Sequence, residues 1–313
     1  MLDSMISAAA AVAASPVAAS ALRTRTGSFP IGFRLGWSEW QKDLPAVTAW
    51  AAGAGLSVID LGANADTAAP TVLEAGLLVG SADLCGGADW KALLSTDESR
   101  RKASIDKITT YVGKCAAYGI RTYFMVLLPE DPTLERRRNL ALASESLNAL
   151  EPVLRAHDSR IVFEGWPGPG ALACTPESCR AVFGACPSPV FGVNYDPSHL
   201  LRMGIDPVRF LGEFHSRVHH VHGKDTDIDL DALYEFGTEQ PPTLATAPGF
   251  GGPFWRYTIP GQGQVPWQRI FRKLVETGYK GAVSIELEDA HFNGTTQGEK
   301  AGLMAAATYL AGV

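Results

Sequence analysis

Four polar side chains that could bind a cation stand inside otherwise apolar segments of the sequence. They are Glu164 in Ile-Val-Phe-Glu-Gly-Trp, Asp196 in Gly-Val-Asn-Tyr-Asp-Pro, His222 in Val-His-His-Val-His-Gly-Lys-Asp and Glu286 in Val-Ser-Ile-Glu-Leu-Glu-Asp. Burying such groups costs free energy unless a partner compensates them. Carboxylates with one imidazole suit Mn²⁺, Mg²⁺, Co²⁺ or Zn²⁺ rather than a structural thiolate site. Each residue alone has a simpler explanation, as a helix cap, an ion-pair partner or a core histidine.

The segments that hold these residues belong to a repeating pattern of short apolar runs and helical stretches. Eight runs are predicted strands: Ile31–Trp37, Leu56–Gly62, Gly76–Ser81, Thr122–Leu128, Ile161–Trp166, Val190–Asp196, Val218–Lys224 and Ala282–Glu288. This βαβα order indicates a parallel sheet covered by helices. Eight units, with no G-x-G-x-x-G after the first strand, favour an α/β fold closed as a (β/α)8 TIM barrel over an open sheet. Closure brings the ends of strands five to eight together, so the four polar residues should meet at the C-terminal mouth.

Two of the intervening helices can be predicted from their N-terminal signals. Thr96-Asp97-Glu98 opens a run to Tyr118, and Thr175-Pro176-Glu177 opens a run to Gly184. Thr and Asp side chains cap the free N–H groups of a first helical turn, where proline is also tolerated.

Composition indicates a globular chain and excludes some partners. Of the 313 residues, 46% are hydrophobic and 19% charged, so a single domain of barrel size can bury a large core. The formal net charge is −6 and the basic residues are dispersed, which argues against a nucleic-acid partner. No segment has the ~18 consecutive apolar residues of a membrane span. Five cysteines, an odd number, indicate a reduced protein rather than a disulfide framework.

The first 29 residues are rich in Ala and Ser, like an export signal, but they lack a positive region before the apolar stretch. We therefore expect residues 1–29 to be a poorly specified N-terminal extension and residues 30–313 to be the TIM-barrel catalytic domain of a cytoplasmic protein. Export is the alternative.

One connection is much longer than the others. Residues 226–264, rich in Pro, Gly and aromatics, separate the seventh strand from a helix that begins near Pro266. A long loop at the catalytic face of a barrel is usually a lid or a pocket wall, and a flexible insertion is the alternative.

Five motifs together resemble the xylose isomerase-like barrels of the sugar phosphate isomerase/epimerase superfamily over residues 31–310. They are Phe163-Glu164-Gly-Trp, Tyr195-Asp196-Pro-Ser-His199-Leu, Val221-His222-Gly-Lys-Asp225, Ile259-Pro-Gly261-Gln-Gly263-Gln-Val-Pro-Trp267 and Ser284-Ile-Glu286. That superfamily contains tagatose and psicose 3-epimerases, inosose dehydratase and endonuclease IV. The motifs are specific for the superfamily and not for a substrate.

The resemblance implies that Glu164, Asp196, His222 and Glu286 are the ligands of one divalent metal ion, with Mn²⁺ as the first expectation. It also implies that Glu164 and Glu286 are the catalytic acid and base, on opposite faces of the substrate. A metal ion that coordinates a carbonyl and its neighbouring hydroxyl stabilises the enediolate formed by proton removal.

Three residues near the ends of strands six and seven are candidates for substrate binding. His199 would reach a substrate oxygen or orient a ligand, and a purely structural role is the alternative. Lys224 and Asp225 close strand seven, where they would bind hydroxyl groups or form a salt bridge at the rim.

Three more candidates could form the walls of the site. Arg256, in the long connection, would hold a substrate oxygen under an aromatic cover unless it is a solvated loop residue. Trp37 and Trp166, at the ends of strands one and five, would support a sugar ring or pack in the core.

The first functional hypothesis is a metal-dependent sugar isomerase or epimerase in carbohydrate metabolism. A lyase or dehydratase acting on a keto-inositol or a 3-keto-glycoside is the second, and a non-catalytic sugar-binding or partner subunit is the third. Endonuclease IV chemistry is discounted, because it requires more histidine ligands and a basic surface.

The sequence departs from the family at Gly261-Gln262-Gly263, where Gly-Glu-Gly is common. The four ligands are unaffected, but finer substrate contacts cannot be transferred from the family. Without a glycine-rich phosphate loop or an arginine cluster, a free sugar, keto-sugar, cyclitol or glycoside is a better substrate than a sugar phosphate. The oligomeric state stays open, with a homo-oligomer as one option.

Overall fold

A closed barrel of parallel strands forms the centre of the computed structural model, which describes residues 20–84 and 89–313. The barrel strands are β1 (Ile31–Arg34), β2 (Val58–Leu61), β3 (Leu78–Asp83), β4 (Thr122–Val126), β5 (Arg160–Glu164), β6 (Phe191–Tyr195), β7 (Val218–Gly223) and β10 (Val283–Ile285). Each strand pairs with the next along the chain, and β10 lies between β7 and β1. The predicted (β/α)8 TIM barrel is therefore confirmed, although β3 begins and ends two residues later than predicted.

Helices surround the barrel and connect its strands. They are α1 (Glu39–Lys42), α2 (Leu44–Gly53), α3 (Ala65–Glu74), α4 (Glu98–Ala116), α5 (Arg136–Ala156), α6 (Pro176–Ala185), α7 (Pro197–Arg202), α8 (Pro207–Phe214), α9 (Leu230–Phe236), α10 (Trp267–Glu276) and α11 (Thr296–Gly312), with 3₁₀ turns at Trp90–Leu94 and His215–Arg217. The predicted caps are present, since Asp97 accepts from the first turn of α4 and Thr175 forms a capping box with Ser178 on α6. Among the described helices, none combines the length and apolar character needed to cross a membrane.

The long connection after β7 is partly ordered into its own small sheet. Strands β8 (Asp225–Ile228) and β9 (Trp255–Thr258) pair antiparallel, and α9 lies between them. The buried Asp225 carboxylate holds the base of this connection, because it accepts hydrogen bonds from the backbone of Gly261 (3.0 Å) and Val265 (2.8 Å) and from Trp267 Nε1 (3.1 Å).

The N-terminal segment packs against the barrel before the predicted boundary at residue 30. Phe29 is buried, and its ring lies edge-on against Phe271 and Tyr279, with centroids 6.0 and 5.4 Å away. Residues 1–19 of the predicted extension lie outside the described residues. The division at residue 30 stays a prediction.

Strand register places the four polar residues at one end of the barrel. Glu164 is the last residue of β5, Asp196 follows β6, His222 is the penultimate residue of β7 and Glu286 follows β10. Because all barrel strands are parallel, these positions share the C-terminal mouth, where barrel enzymes have their active sites.

Candidate metal centre

Three of the four predicted ligands, Glu164, Asp196 and Glu286, come together in the structure, and His222 adjoins the two glutamates. His222 Nδ1 lies 2.8 Å from Glu164 Oε1 and 3.6 Å from Glu286 Oε2. His199 joins them, with its Nε2 3.5 Å from Asp196 Oδ2 and 3.6 Å from Glu164 Oε2. Four side chains each offer one oxygen or nitrogen atom, and these atoms all lie within 4.8 Å of one another: Glu164, Asp196, His199 and Glu286. The cluster therefore has the dimensions of a cation site.

Local hydrogen bonds orient two of the carboxylates. Asp196 caps α7, because its Oδ1 accepts from the backbone N–H (2.9 Å) and hydroxyl (2.6 Å) of Ser198. Glu164 Oε1 accepts from Asn194 Nδ2 at 3.0 Å. The buried Asp196 Oδ2 accepts no aligned hydrogen bond from the described residues and points into the cluster. A buried carboxylate oxygen without an aligned hydrogen bond, among other acids and an imidazole, belongs to the donor set that a divalent cation prefers, so these residues fit such an ion.

A second cluster inside the barrel orients His222. Asp60 on β2 is fully buried, and its Oδ2 lies 2.7 Å from His220 Nε2 and 3.6 Å from His222 Nε2. Its Oδ1 accepts from the backbone N–H of Ser81 at 2.9 Å. The ring of Phe124 stacks on His222, with centroids 5.4 Å apart. With Asp60 on its Nε2 side, His222 directs Nδ1 toward the carboxylates.

Two cations neutralise the acidic cluster. Lys224 Nζ donates to Glu286 Oε2 and to Glu288 Oε2, the latter at 2.9 Å. Arg34, on β1, lies with its Nε 3.3 Å from Glu286 Oε1 and its Nη1 2.8 Å from Asp83 Oδ1. Lys224 forms a salt bridge, one of the two alternatives that the sequence left open, but with 1% exposure it lies inside the mouth and not at an exposed rim.

The pKa shifts of these groups follow from their neighbours. Burial would raise the pKa of Glu286, but the charges of Lys224 and then His222 lower it well below its usual value. Burial and the charge of Glu286 would likewise raise the pKa of Glu164, yet His222 lowers it. Burial would lower the pKa of Lys224, and the carboxylates of Asp196 and Glu286 raise it. Both glutamates are therefore ionised near neutral pH.

A cavity of about 360 Å³ opens beside Glu286. Its walls include Arg34, Trp37, Phe250 and Glu288. Trp37 stands at the rim with 78% of its surface exposed, which leaves its ring free for a ligand.

The other predicted substrate residues do not line this cavity. Arg256 lies in the long connection, where its Nη2 is 3.2 Å from Asp227 Oδ2, and it does not line the cavity. Trp166 is half-buried and does not line the cavity either. The Asp225 carboxylate is engaged by the backbone and by Trp267, and His199 faces the metal cluster with its Nδ1 2.5 Å from Tyr257 Oη.

A carboxylate that sequence reasoning missed shapes the cavity wall. Glu299, in the first turn of α11, accepts hydrogen bonds from Ser38 Oγ (2.6 Å), Trp40 Nε1 (2.6 Å) and Gln41 Nε2 (3.0 Å). It ties the segment after β1 to the last helix. In the sequence, Thr-Gln-Gly-Glu at this position indicates only the capped N-terminus of a helix.

Comparison with known proteins gives a family match and several distant relatives. Residues 55–310 match the family model described as "Xylose isomerase-like TIM barrel". The uncharacterized protein YfiH of Bacillus subtilis is 39% identical over 108 residues, which cover 32% of each chain. Inosose dehydratase of Clostridium tetani is 27% identical over 156 residues, covering 50% of this chain and 48% of that enzyme. The matches thus span about a third to a half of these curated relatives.

Solved structures with the same fold include two epimerases. D-Psicose 3-epimerase from Clostridium cellulolyticum H10, solved with D-tagatose, superposes with a TM-score of 0.64 at 14% identity, covering 90% of this chain and 99% of that one. The 3-keto-D-glucoside 4-epimerase YcjR of E. coli gives 0.63 at 15% identity, covering 90% and 98%. At this identity the likeness concerns the fold alone.

Proposed function

This chain belongs to the xylose isomerase-like TIM barrel family, and on that premise we propose that it is a divalent-metal-dependent enzyme that moves a proton beside the carbonyl group of a sugar-like substrate. The observation that carries the proposal is the convergence of Glu164 and Glu286 on His222 Nδ1, at 2.8 and 3.6 Å. Two ionised carboxylates beside one imidazole provide both a cation site and bases.

The proposed ligands are Glu164, Asp196, His222 and Glu286, and a bound divalent ion, with Mn²⁺ expected first, supplies positive charge that stabilises an oxyanion on the substrate. Glu164 or Glu286 removes a proton from the carbon next to the carbonyl, because each is ionised near neutral pH. Epimerisation follows if the other glutamate takes up a proton from water and delivers it to the opposite face of the same carbon. Isomerisation follows if a proton is delivered to the former carbonyl carbon while another passes between the two substrate oxygens. This is the first candidate.

The cavity supports a substrate of monosaccharide or cyclitol size. Its volume of about 360 Å³ lies at the lower end of the range of ligand pockets, ~300–1,000 Å³. Arg34, a residue missed in the sequence, offers a cation on the wall beside Glu286, and Trp37 offers an aromatic face at the rim.

A dehydratase or other lyase is the second candidate, acting on a keto-inositol or a 3-keto-glycoside. The Lys224 ammonium favours it, because it donates to Glu286 and Glu288, two carboxylates that line the cavity, and can balance negative charge that develops on a departing oxygen there. Several curated relatives are inosose dehydratases, and the similarity covers about half of the length of each or less.

Both candidates can be tested in one assay. The Mn²⁺-loaded protein is incubated in D₂O with a ketohexose, an inosose and a 3-keto-glucoside, and the products are followed by NMR. Deuterium uptake beside the carbonyl without loss of a leaving group supports the isomerase or epimerase. Loss of water or of an aglycone supports the lyase.

Variants connect the activity to the site. Glu164→Gln and Glu286→Gln should abolish deuterium uptake, whereas Glu74→Gln, a change at an exposed position of α3, should leave it unchanged. Full turnover in both site variants would overturn the proposal. Sugar binding without deuterium uptake or product formation would instead indicate a non-catalytic sugar-binding subunit.

A further inference from the structure

Lys224 occupies the centre of the acidic cluster. Besides its hydrogen bonds to Glu286 and Glu288, its Nζ lies 3.3 Å from Asp196 Oδ2 and 3.4 Å from His199 Nε2. With 1% exposure, the ammonium has lost its hydration and depends on these contacts. It is thus a cation held by the same groups that would hold a metal ion.

The contacts of Lys224 and those of the proposed metal ion involve the same two carboxylate oxygens. Asp196 Oδ2 and Glu286 Oε2 both contact Lys224 Nζ, and both face the cluster that also contains His222 Nδ1. Carboxylate oxygens bind divalent transition-metal ions at ~2.0–2.2 Å. An ion bound through these two oxygens would lie within a few ångströms of the ammonium, where like charges in a buried site repel strongly.

A second position for the ammonium already exists. Glu288 Oε2 accepts from Lys224 Nζ at 2.9 Å, and the Glu288 side chain is 21% exposed on the cavity wall. The ring of Tyr257 lies 4.5 Å from Nζ and provides a cation–π contact. Lysine has a flexible four-carbon stem, so Nζ can leave Asp196 and Glu286 while it keeps Glu288.

We propose that Lys224 is a built-in counter-ion of the metal site, which a divalent ion displaces from Asp196 and Glu286 toward Glu288. This proposal rests on the metal centre of the proposed function. Lys224 keeps the clustered carboxylates from repelling one another in the metal-free protein. Metal binding then exchanges one cation for another and moves the ammonium to the cavity side, next to the substrate.

The test measures Mn²⁺ affinity by isothermal titration calorimetry in Lys224→Met and in the native protein, both stripped with a chelator. Affinity should rise at least about tenfold in the variant, because a unit charge ~4 Å away no longer opposes the ion. The melting temperature of the metal-free variant should be lower than that of the native protein, and Mn²⁺ should raise it by more. Lys102→Met, at an exposed position on α4, should change neither quantity.

The outcomes separate this proposal from the proposed function. Equal or weaker Mn²⁺ binding by Lys224→Met, with normal binding by the native protein, overturns the counter-ion role and leaves the metal centre intact. Failure of both proteins to bind Mn²⁺, Mg²⁺, Co²⁺ or Zn²⁺ overturns the metal centre and the counter-ion role together. A variant that folds only when Mn²⁺ is present supports the proposal.

Glu288→Gln provides a second variant at a partly exposed side chain, in case Lys224→Met does not fold under any condition. Without Glu288, the displaced ammonium has no carboxylate partner, so Mn²⁺ affinity should fall by about threefold or more. An unchanged affinity would show that Lys224 is not displaced toward Glu288 and would overturn the proposal.

Discussion

Replacing Asp60 with asparagine should weaken metal binding although Asp60 lies below the metal cluster. Asn has the same shape and can still accept from the Ser81 N–H, but it lacks the charge that faces His220 at 2.7 Å and His222 at 3.6 Å. That charge favours a proton on His222 Nε2, which leaves the Nδ1 lone pair for a cation. Loss of such a partner typically costs ~10–100-fold in metal affinity, and we expect a loss of this size in D60N.

The same substitution should also destabilise the metal-free protein. Removing one partner of a buried charged pair costs ~3–5 kcal/mol, and the retained Ser81 contact places Asp60→Asn at the lower end, at about 3 kcal/mol. At ~2–4 °C per kcal/mol, the melting temperature should fall by roughly 6–12 °C.

Calorimetric titration with Mn²⁺ and differential scanning calorimetry in chelator measure the two effects. Asp106→Asn, at an exposed position on α4, is the matched control and should resemble the native protein. Native Mn²⁺ affinity in Asp60→Asn would refute the orienting role of Asp60. A normal melting temperature would refute the energetic argument for the buried pair.

Three further predictions concern the surroundings of the site. Glu299→Gln replaces one carboxylate oxygen, either the one that accepts from Ser38, Trp40 and Gln41 or the one that accepts from the Gly294 N–H, with an NH₂ group that cannot accept. It should therefore cost about 1–3 kcal/mol of unfolding free energy in urea denaturation, and an unchanged midpoint would contradict it. Trp37→Ala should raise KM severalfold without changing the melting temperature, because the ring is exposed at the rim; steady-state kinetics with an active substrate decides this. Burial would raise the pKa of Asp60, but His220 lowers it well below its usual value, so its stabilisation is present above about pH 4 and lost as the pH falls. In chelator, Asp60→Asn should therefore lose less stability between about pH 5 and 2 than the native protein, and parallel pH profiles would contradict this.

The barrel, and the position of Glu164, Asp196, His222 and Glu286 at its mouth, could be predicted from the sequence, because each of these residues interrupts or directly follows an apolar strand. Asp60 meets the same criterion in Val-Ile-Asp-Leu, yet it stands on β2, far along the chain from the other acids. Its role depends on β7 directing His220 and His222 across the barrel interior, and that is a property of closure rather than of local sequence.

Lys224 shows a different limit of sequence analysis. The motif Val-His-Gly-Lys-Asp left hydroxyl binding and a rim salt bridge as equal alternatives. The structure surrounds its Nζ with buried or partly buried carboxylates that follow β6 (Asp196) and β10 (Glu286 and Glu288). Long flexible side chains have many reachable partners, so only the assembled mouth determines which they contact.

The anchoring of the long connection by Asp225 has a consequence for how this scaffold could diversify. The Asp225 carboxylate joins the two ends of the connection, because Asp225 begins it and accepts hydrogen bonds from the backbone 36 and 40 residues later. Between these two anchors Tyr257 contacts His199 and Phe250 lines the cavity, but most of residues 230–249 are exposed. Lengthening an exposed loop costs little closure entropy. Residues 230–249, which precede the cavity-lining Phe250, could therefore be lengthened or shortened by insertions or deletions while the acidic cluster stays in place.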